Sequence, residues 1–199
     1  MSSRIQSTPG TGIYLALMLL MLPIQWVLAL IFAVLVHEGM HMIAIFLCSK
    51  QLPAIHLYVT GAQIHMPPIS RKQEFFCALA GPLGSLLLLL TAGFMPRTAL
   101  CAAVQCLWNL LPVYPLDGGR ALSCLLSMLL PPPKARMVQI EVERITIAGI
   151  VLLSIYCCFG LELGFIPVIL PLMLYLRRKN GKMLAKRKDN EYNSVIPNR

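Results

Sequence analysis

"VLVHEGMHMIAIF", residues 34–46, sets two histidines and a glutamate inside a run that otherwise reads as membrane-spanning helix. Ionisable groups in hydrocarbon are costly, rare and usually functional. His37-Glu38-Gly39-Met40-His41 is an H-E-x-x-H, and its i, i+4 spacing puts both imidazoles on one helix face, where they can share a zinc ion with Glu38 beside it. Two neutral imidazoles and a carboxylate leave a fourth zinc position open for water. The ion lowers the pKa of that water towards neutrality, and the adjacent glutamate can take its proton as it attacks a carbonyl. The plainer reading, polar side chains lining a helix–helix contact, is disfavoured because the chain has only four His, so a chance match is rare.

The surrounding composition supports a lipid setting. Hydrophobic residues make up 57% of the chain and charged residues 13%, and the mean hydropathy is +0.72, outside the range of soluble globular domains. At roughly 20 residues per helical span, 199 residues allow about six spans and no second folded domain. The seven Cys are odd in number, lie mostly in apolar segments and form no CxxC pair, so they read as small buried hydrophobes. The N-terminal run lacks a small-residue cleavage site and continues into more apolar sequence, which favours a retained first span over a signal peptide.

The expected architecture is an all-α polytopic membrane protein with a short membrane-associated β-like loop after span two. The spans fall at Ile13 to Leu22, Ile24 to Cys48, Phe75 to Met95, Thr98 to about Val113, Ile145 to Phe159 and Phe165 to Leu176. The β-like loop is "HLYVTGAQIHM", residues 56–66, two short extended pieces around Gly61. "PVYPLDGGRALSCLLSMLLPPPK", residues 112–134, is too rich in Pro and Gly for one straight helix, and broken backbone at membrane depth requires protein or water around it. The expectation is a single domain over residues 1–176 and a basic, disordered cytoplasmic tail over residues 177–199.

Charge orients the chain independently. The tail "RRKNGKMLAKRK", residues 177–188, is the strongest positive-inside signal, so with six spans both termini lie in the cytoplasm of a multi-pass cell-membrane protein. Lys50, Arg71, Lys72, Lys134, Arg136 and Arg144 fall in connections on that side, and the opposite side holds only Arg97. The net charge of +9 is thereby explained by topology and contact with the lipid bilayer. No aromatic interleaving or motif points to nucleic acid as a partner.

Zinc needs a third protein ligand. Glu74, Glu141 and Glu143 sit beside basic residues at expected interfaces, Glu162 lies in an outer loop, and Asp189 and Glu191 are in the tail, which leaves Asp117 in "NLLPVYPLDGGRAL". Counted at 1.5 Å per residue from the outer side, His37 to His41 lie roughly 20 to 25 Å deep and Asp117 at most about 30 Å deep, so the depths match. From local sequence alone Asp117-Gly118-Gly119 reads as an ordinary turn. The missing ligand and the matched depth favour ligation.

At these residues a resemblance emerges. H-E-x-x-H in an early span, Asn109, Pro112, Pro115, Leu116, Asp117, Gly118 and Gly119 in a later one, and an intervening "ALAGPLGSL" resemble the site-2 protease family of intramembrane zinc metalloproteases. The span plan is closest to the branch that processes a membrane-bound sigma-factor precursor in bacterial sporulation, without that branch's C-terminal regulatory domain. The resemblance implies Zn2+ held by His37, His41 and Asp117, and Glu38 as catalytic base. It further implies that Asn109 holds the substrate or orients the site. The loop around Gly61 would pair with an unwound substrate strand, since a helical substrate exposes no carbonyl until extended. The implied partners are a membrane protein substrate and an inhibitory or regulatory membrane protein.

His56 and His65 lack the i, i+4 relation and read as interfacial, the scattered Met residues as packing, and Gly81 and Gly84 as small residues permitting close helix approach. Two functions from different classes fit the motif. One is an intramembrane zinc endopeptidase cutting a transmembrane or membrane-associated segment of a regulatory precursor. The other is a non-hydrolytic metal-binding membrane protein, either a divalent-cation transporter or a pseudoprotease. Glu38 discriminates them, because only hydrolysis needs a base.

Overall fold

The structure is a computed structural model, and it describes residues 5–7, 22–50, 54–58, 61–65 and 69–160 together with 168, 171–172 and 174–175. In the three strands the backbone alone is described. Five helices carry the fold among these residues: α1 (Ile24–Ser49), α2 (Arg71–Leu89), α3 (Pro96–Asn109), α4 (Asp117–Leu129) and α5 (Pro132–Phe159). The strands are β1 (Ile5–Ser7), β2 (Ala54–Tyr58) and β3 (Gly61–His65). The expected first span and most of the sixth lie outside the described residues.

Among the described residues, α1 and α5 are the helices both long and apolar enough to cross a membrane by length and composition. Both expose large apolar residues on most faces, among them Leu28, Leu35, Ile43 and Leu47 on α1 and Ile145, Leu152 and Phe159 on α5. A helix that is apolar all round but buries only one stripe is suited to an apolar surrounding. On α1 the buried stripe is Ala33, His37, His41 and Ile45, a strict i, i+4 row. The two histidines therefore face the protein interior.

Helix boundaries follow local chemistry. Pro23 precedes α1, and the helix ends where Lys50 adopts a left-handed conformation, φ 58°, with its N–H donating to the Phe46 carbonyl. At the start of α2, Ser70 and Gln73 form a reciprocal capping box. Proline occupies the first turn of α3 and of α5, where its missing N–H costs nothing. The helix expected over Thr98 to Val113 stops at Asn109, just before Pro112, and the one expected from Ile145 begins thirteen residues earlier, at Pro132. That earlier start is a correction, because the Pro131–Pro133 run initiates a helix where a break was expected, and the polar residues after it extend that helix.

The central element is α2, which packs against α1, α3 and α4, while α5 packs on α4. One buried cluster lies between these helices, where Leu88 of α2 packs against the small residues Ala33 of α1 and Ala102 of α3. Beside the helices, β2 pairs antiparallel with β3 from Ala54 opposite His65 to Tyr58 opposite Gly61, and β1 pairs parallel with β2. The order β1-β2-β3 leaves β3 at an edge among the described strands.

Candidate metal centre

The i, i+4 row of α1 aims both imidazoles at one point. His37 Nε2 and His41 Nε2 each lie 3.1 Å from the same oxygen, Oδ2 of Asp117. One ligand atom from each of the three residues falls within 4.8 Å of the others. All three are buried, His37 to 1% exposure.

The far side of each ring is held by α2. His41 Nδ1 is 2.8 Å from the Cys77 carbonyl, and His37 Nδ1 is 2.8 Å from Ser85 Oγ. A carbonyl can only accept, so the first of these bonds places the His41 proton on Nδ1. The Nε2 lone pair of a neutral His41 then faces a carboxylate oxygen, acceptor against acceptor. A cation between them resolves that conflict, and two imidazole nitrogens with one carboxylate, each ring oriented by a bond at its other nitrogen, are a donor set suited to zinc.

Gly81 supplies the space. A Cβ built there would overlap Nε2 of His41 and come within 2.7 Å of Nε2 of His37. The sequence reading of Gly81 and Gly84 as positions of close helix approach holds for both: Gly84 approaches Met40, and what Gly81 approaches are the converging nitrogens themselves. Pro82 follows within the same helix. The only signal for Gly81 in the sequence was its place in "AGPLGS"; nothing there indicated which of the two glycines faced the histidines.

Asp117 arrives by a different construction. It is the first residue of α4, where an acidic side chain is favourable to the helix dipole. The preceding turn, residues 110–116, folds back so tightly that side chains at Gly118 and Gly119 would overlap the backbone of Leu110 and Val113. Prolines stand at 112 and 115 in that turn, and the Tyr114–Pro115 bond is cis. Val113 and Leu116 are buried there with Leu174, against Trp108, Ile147 and Ile150. The "D-G-G" is thus both the local turn signal and the carrier of the third converging group.

Asn109, the last residue of α3, brings its amide Nδ2 to 3.4 Å from His37 Nε2. Glu38 is half-buried on α1, next in sequence to His37. Gly61 begins β3, paired with Tyr58 in the sheet, and is not part of the His–His–Asp group. Sequence reasoning missed Ser85 and the Cys77 carbonyl, since a serine and a backbone oxygen in an apolar helix carry no motif. It also misplaced Glu143. Glu74 and Glu141 do pair with Arg71 and Arg144 as expected, but Glu143 is 6% exposed and turns inward, because it lies on the face of α5 that packs on the turn.

No protein-family profile matches the chain. A curated relative, stage IV sporulation protein FB of Bacillus subtilis (strain 168), is 27% identical over 186 residues, covering 86% of this chain and 60% of that protein. The chain thus spans less than two thirds of that relative's length. Among solved structures, the site-2 protease from Methanocaldococcus jannaschii superposes with a TM-score of 0.65 at 21% identity over 89% of each chain, a shared fold. These likenesses support membrane association. Both likenesses support the resemblance to the site-2 protease family carried by the H-E-x-x-H and L-D-G-G residues, which the fold brings together here.

Proposed function

We propose that this chain is an intramembrane zinc endopeptidase that hydrolyses a peptide bond in a transmembrane or membrane-associated segment of a regulatory precursor protein. The observation that carries this reading is the convergence of the buried His37 Nε2 and His41 Nε2 on Asp117 Oδ2, with Glu38 next to His37 on the same helix. Zinc held by these three atoms would supply Lewis-acid chemistry and lower the pKa of water towards neutrality. Glu38 accepts the proton from the attacking water and returns it to the leaving amine. The Asn109 amide, at the mouth of the group, donates to the substrate carbonyl and so orients it. The edge of β3, beginning at Gly61, offers backbone groups that would hold a substrate segment extended.

The setting is part of the same proposal. Six spans in one domain through residue 176, both termini in the cytoplasm and a bacterial cell membrane fit the cation bias. The likeness to a stage IV sporulation protein supports a role in sporulation; a membrane-bound precursor as substrate and an inhibitory or regulatory membrane protein as partner complete the proposal. Outside labelling of a single cysteine introduced at position 71, in a background without the native cysteines, would overturn the orientation.

Glu38→Gln tests the chemistry. It keeps volume and should keep metal, yet lower turnover by about 10²- to 10⁴-fold, the usual cost of losing a general base. Zinc content and cleavage of a lipid-reconstituted substrate with a helix-breaking residue in its span are measured on one sample. Near-wild-type cleavage by this variant eliminates the mechanism. A wild-type protein that binds zinc but cleaves nothing in a broad membrane-substrate panel points instead to a transporter or pseudoprotease.

A further inference from the structure

The turn between α3 and α4 is non-helical backbone in a strongly apolar chain, so each of its N–H groups must find an acceptor inside the protein. Leu110 and Leu111 donate to the carbonyls of Cys106 and Trp108, Val113 donates to Leu111, and Leu116 donates to Val113. Pro112 and Pro115 have no N–H. That leaves Tyr114, whose N–H donates to Oε1 of Glu143 on α5 at 3.2 Å. The acceptor lies 29 residues away on another helix.

Glu143 is held in place for this. It is 6% exposed, and Gln139, one turn earlier on α5, donates from Nε2 to the same oxygen at 3.3 Å. One and two turns later on that face, Ile147 and Ile150 pack against the cluster of Val113 and Leu116. A buried carboxyl is expensive unless its hydrogen bonds are met. Here it meets the one turn N–H that finds its acceptor neither in the turn nor in α3, and Asp117 follows three residues later.

We propose that Glu143 is a positioning residue for the metal centre: by accepting the Tyr114 N–H it anchors the 110–116 turn to α5 and so sets the Asp117 carboxylate opposite His37 and His41. This rests on reading that group as a metal site. A turn released from α5 can shift, and Asp117 with it, whereas the two histidines, held by α2, stay in place.

The experiment uses the full chain in detergent and compares Glu143→Leu, Glu143→Ala and Glu143→Gln with wild type. Zinc affinity is read by chelator competition, and ligand geometry by the visible spectrum of the Co2+-loaded protein. Leucine and alanine remove the acceptor, while glutamine keeps an oxygen able to accept from Tyr114. Loss of an outer partner of a metal ligand commonly costs about 10- to 100-fold in affinity. The leucine and alanine variants should lose at least about 10-fold and show a changed cobalt spectrum, and glutamine should recover most of the affinity and the wild-type spectrum. A wild type without zinc affinity defeats the metal-centre reading itself. A zinc-binding wild type whose leucine or alanine variant keeps affinity and spectrum defeats the role of Glu143 alone, as does a glutamine variant that fails as badly as leucine. Should both acceptor-less variants fail to fold while glutamine folds, the bond serves the whole fold and the site-specific claim is overturned.

Discussion

His37 and His41 stand four residues apart on one helix, whereas Asp117 joins them from 80 and 76 residues further along the chain. Helical geometry alone puts the two imidazoles on one face, and any well-formed helix over residues 34–46 would do so. Asp117 depends on a turn shaped by prolines and by two glycines that tolerate backbone contact, on a buried cluster, and on a hydrogen bond from a separate helix. The comparison teaches that two ligands are preorganised by secondary structure and the third by tertiary packing. The histidine half should tolerate distant perturbation, and the aspartate half should not.

The largest effects come from removing ligands. His37→Ala and Asp117→Ala should each abolish stoichiometric zinc binding, because two remaining groups do not complete a site. Metal analysis of the purified variants checks this, and unchanged zinc in both would break the assignment of the entire group. Their folds should differ: the histidine variant leaves α1 intact, while the aspartate variant also strips the first turn of α4 of its acidic side chain.

A smaller but still severe effect is expected at Gly81→Ala, whose methyl would occupy the space between the imidazole tips. Overpacking of this kind costs about 1–3 kcal/mol of stability. It should also weaken zinc by about 100-fold, the upper end of what disturbing the groups that orient metal ligands costs. Gly84→Ala, against the flexible Met40 side chain, is the control. Equal zinc affinity in the two alanine variants would remove Gly81 from the site.

The smallest effect sharpens the histidine side of the comparison. Ser85→Ala removes the bond at His37 Nδ1 but leaves the ring on its helix, so zinc affinity should fall only about 10-fold. Chelator competition measures it. A loss as large as that of the ligand variants would mean that helix α1 does not by itself preorganise His37.

Much of this was legible in the residues. The H-E-x-x-H carried both its helix and its chemistry, because i, i+4 spacing is a property of backbone geometry. Asp117 could be reached only by eliminating other carboxylates, and that elimination was right about Asp117 while misplacing Glu143, which sits inward on α5 rather than at an interface. The neighbours of Glu143 along the chain, Val142 and Arg144, say nothing of a turn 29 residues away. Gly81 and Gly84 are likewise indistinguishable in sequence, since a glycine's role depends on what approaches it.

What the amino-acid sequence determined by itself was therefore periodic and compositional: apolar helices, a tight proline- and glycine-rich turn, a pair of extended segments around Gly61, and two histidines on one helix face with a glutamate beside them. These follow from interactions within a few residues, where the covalent chain already limits the geometry. Only the tertiary structure decided that Asp117 meets both Nε2 atoms, that Ser85 and the Cys77 carbonyl hold the rings, and that Glu143 anchors the turn. Each of those is a contact between segments far apart in the chain, chosen by which faces of α1, α2, α4 and α5 can pack without leaving buried polar groups unpaired.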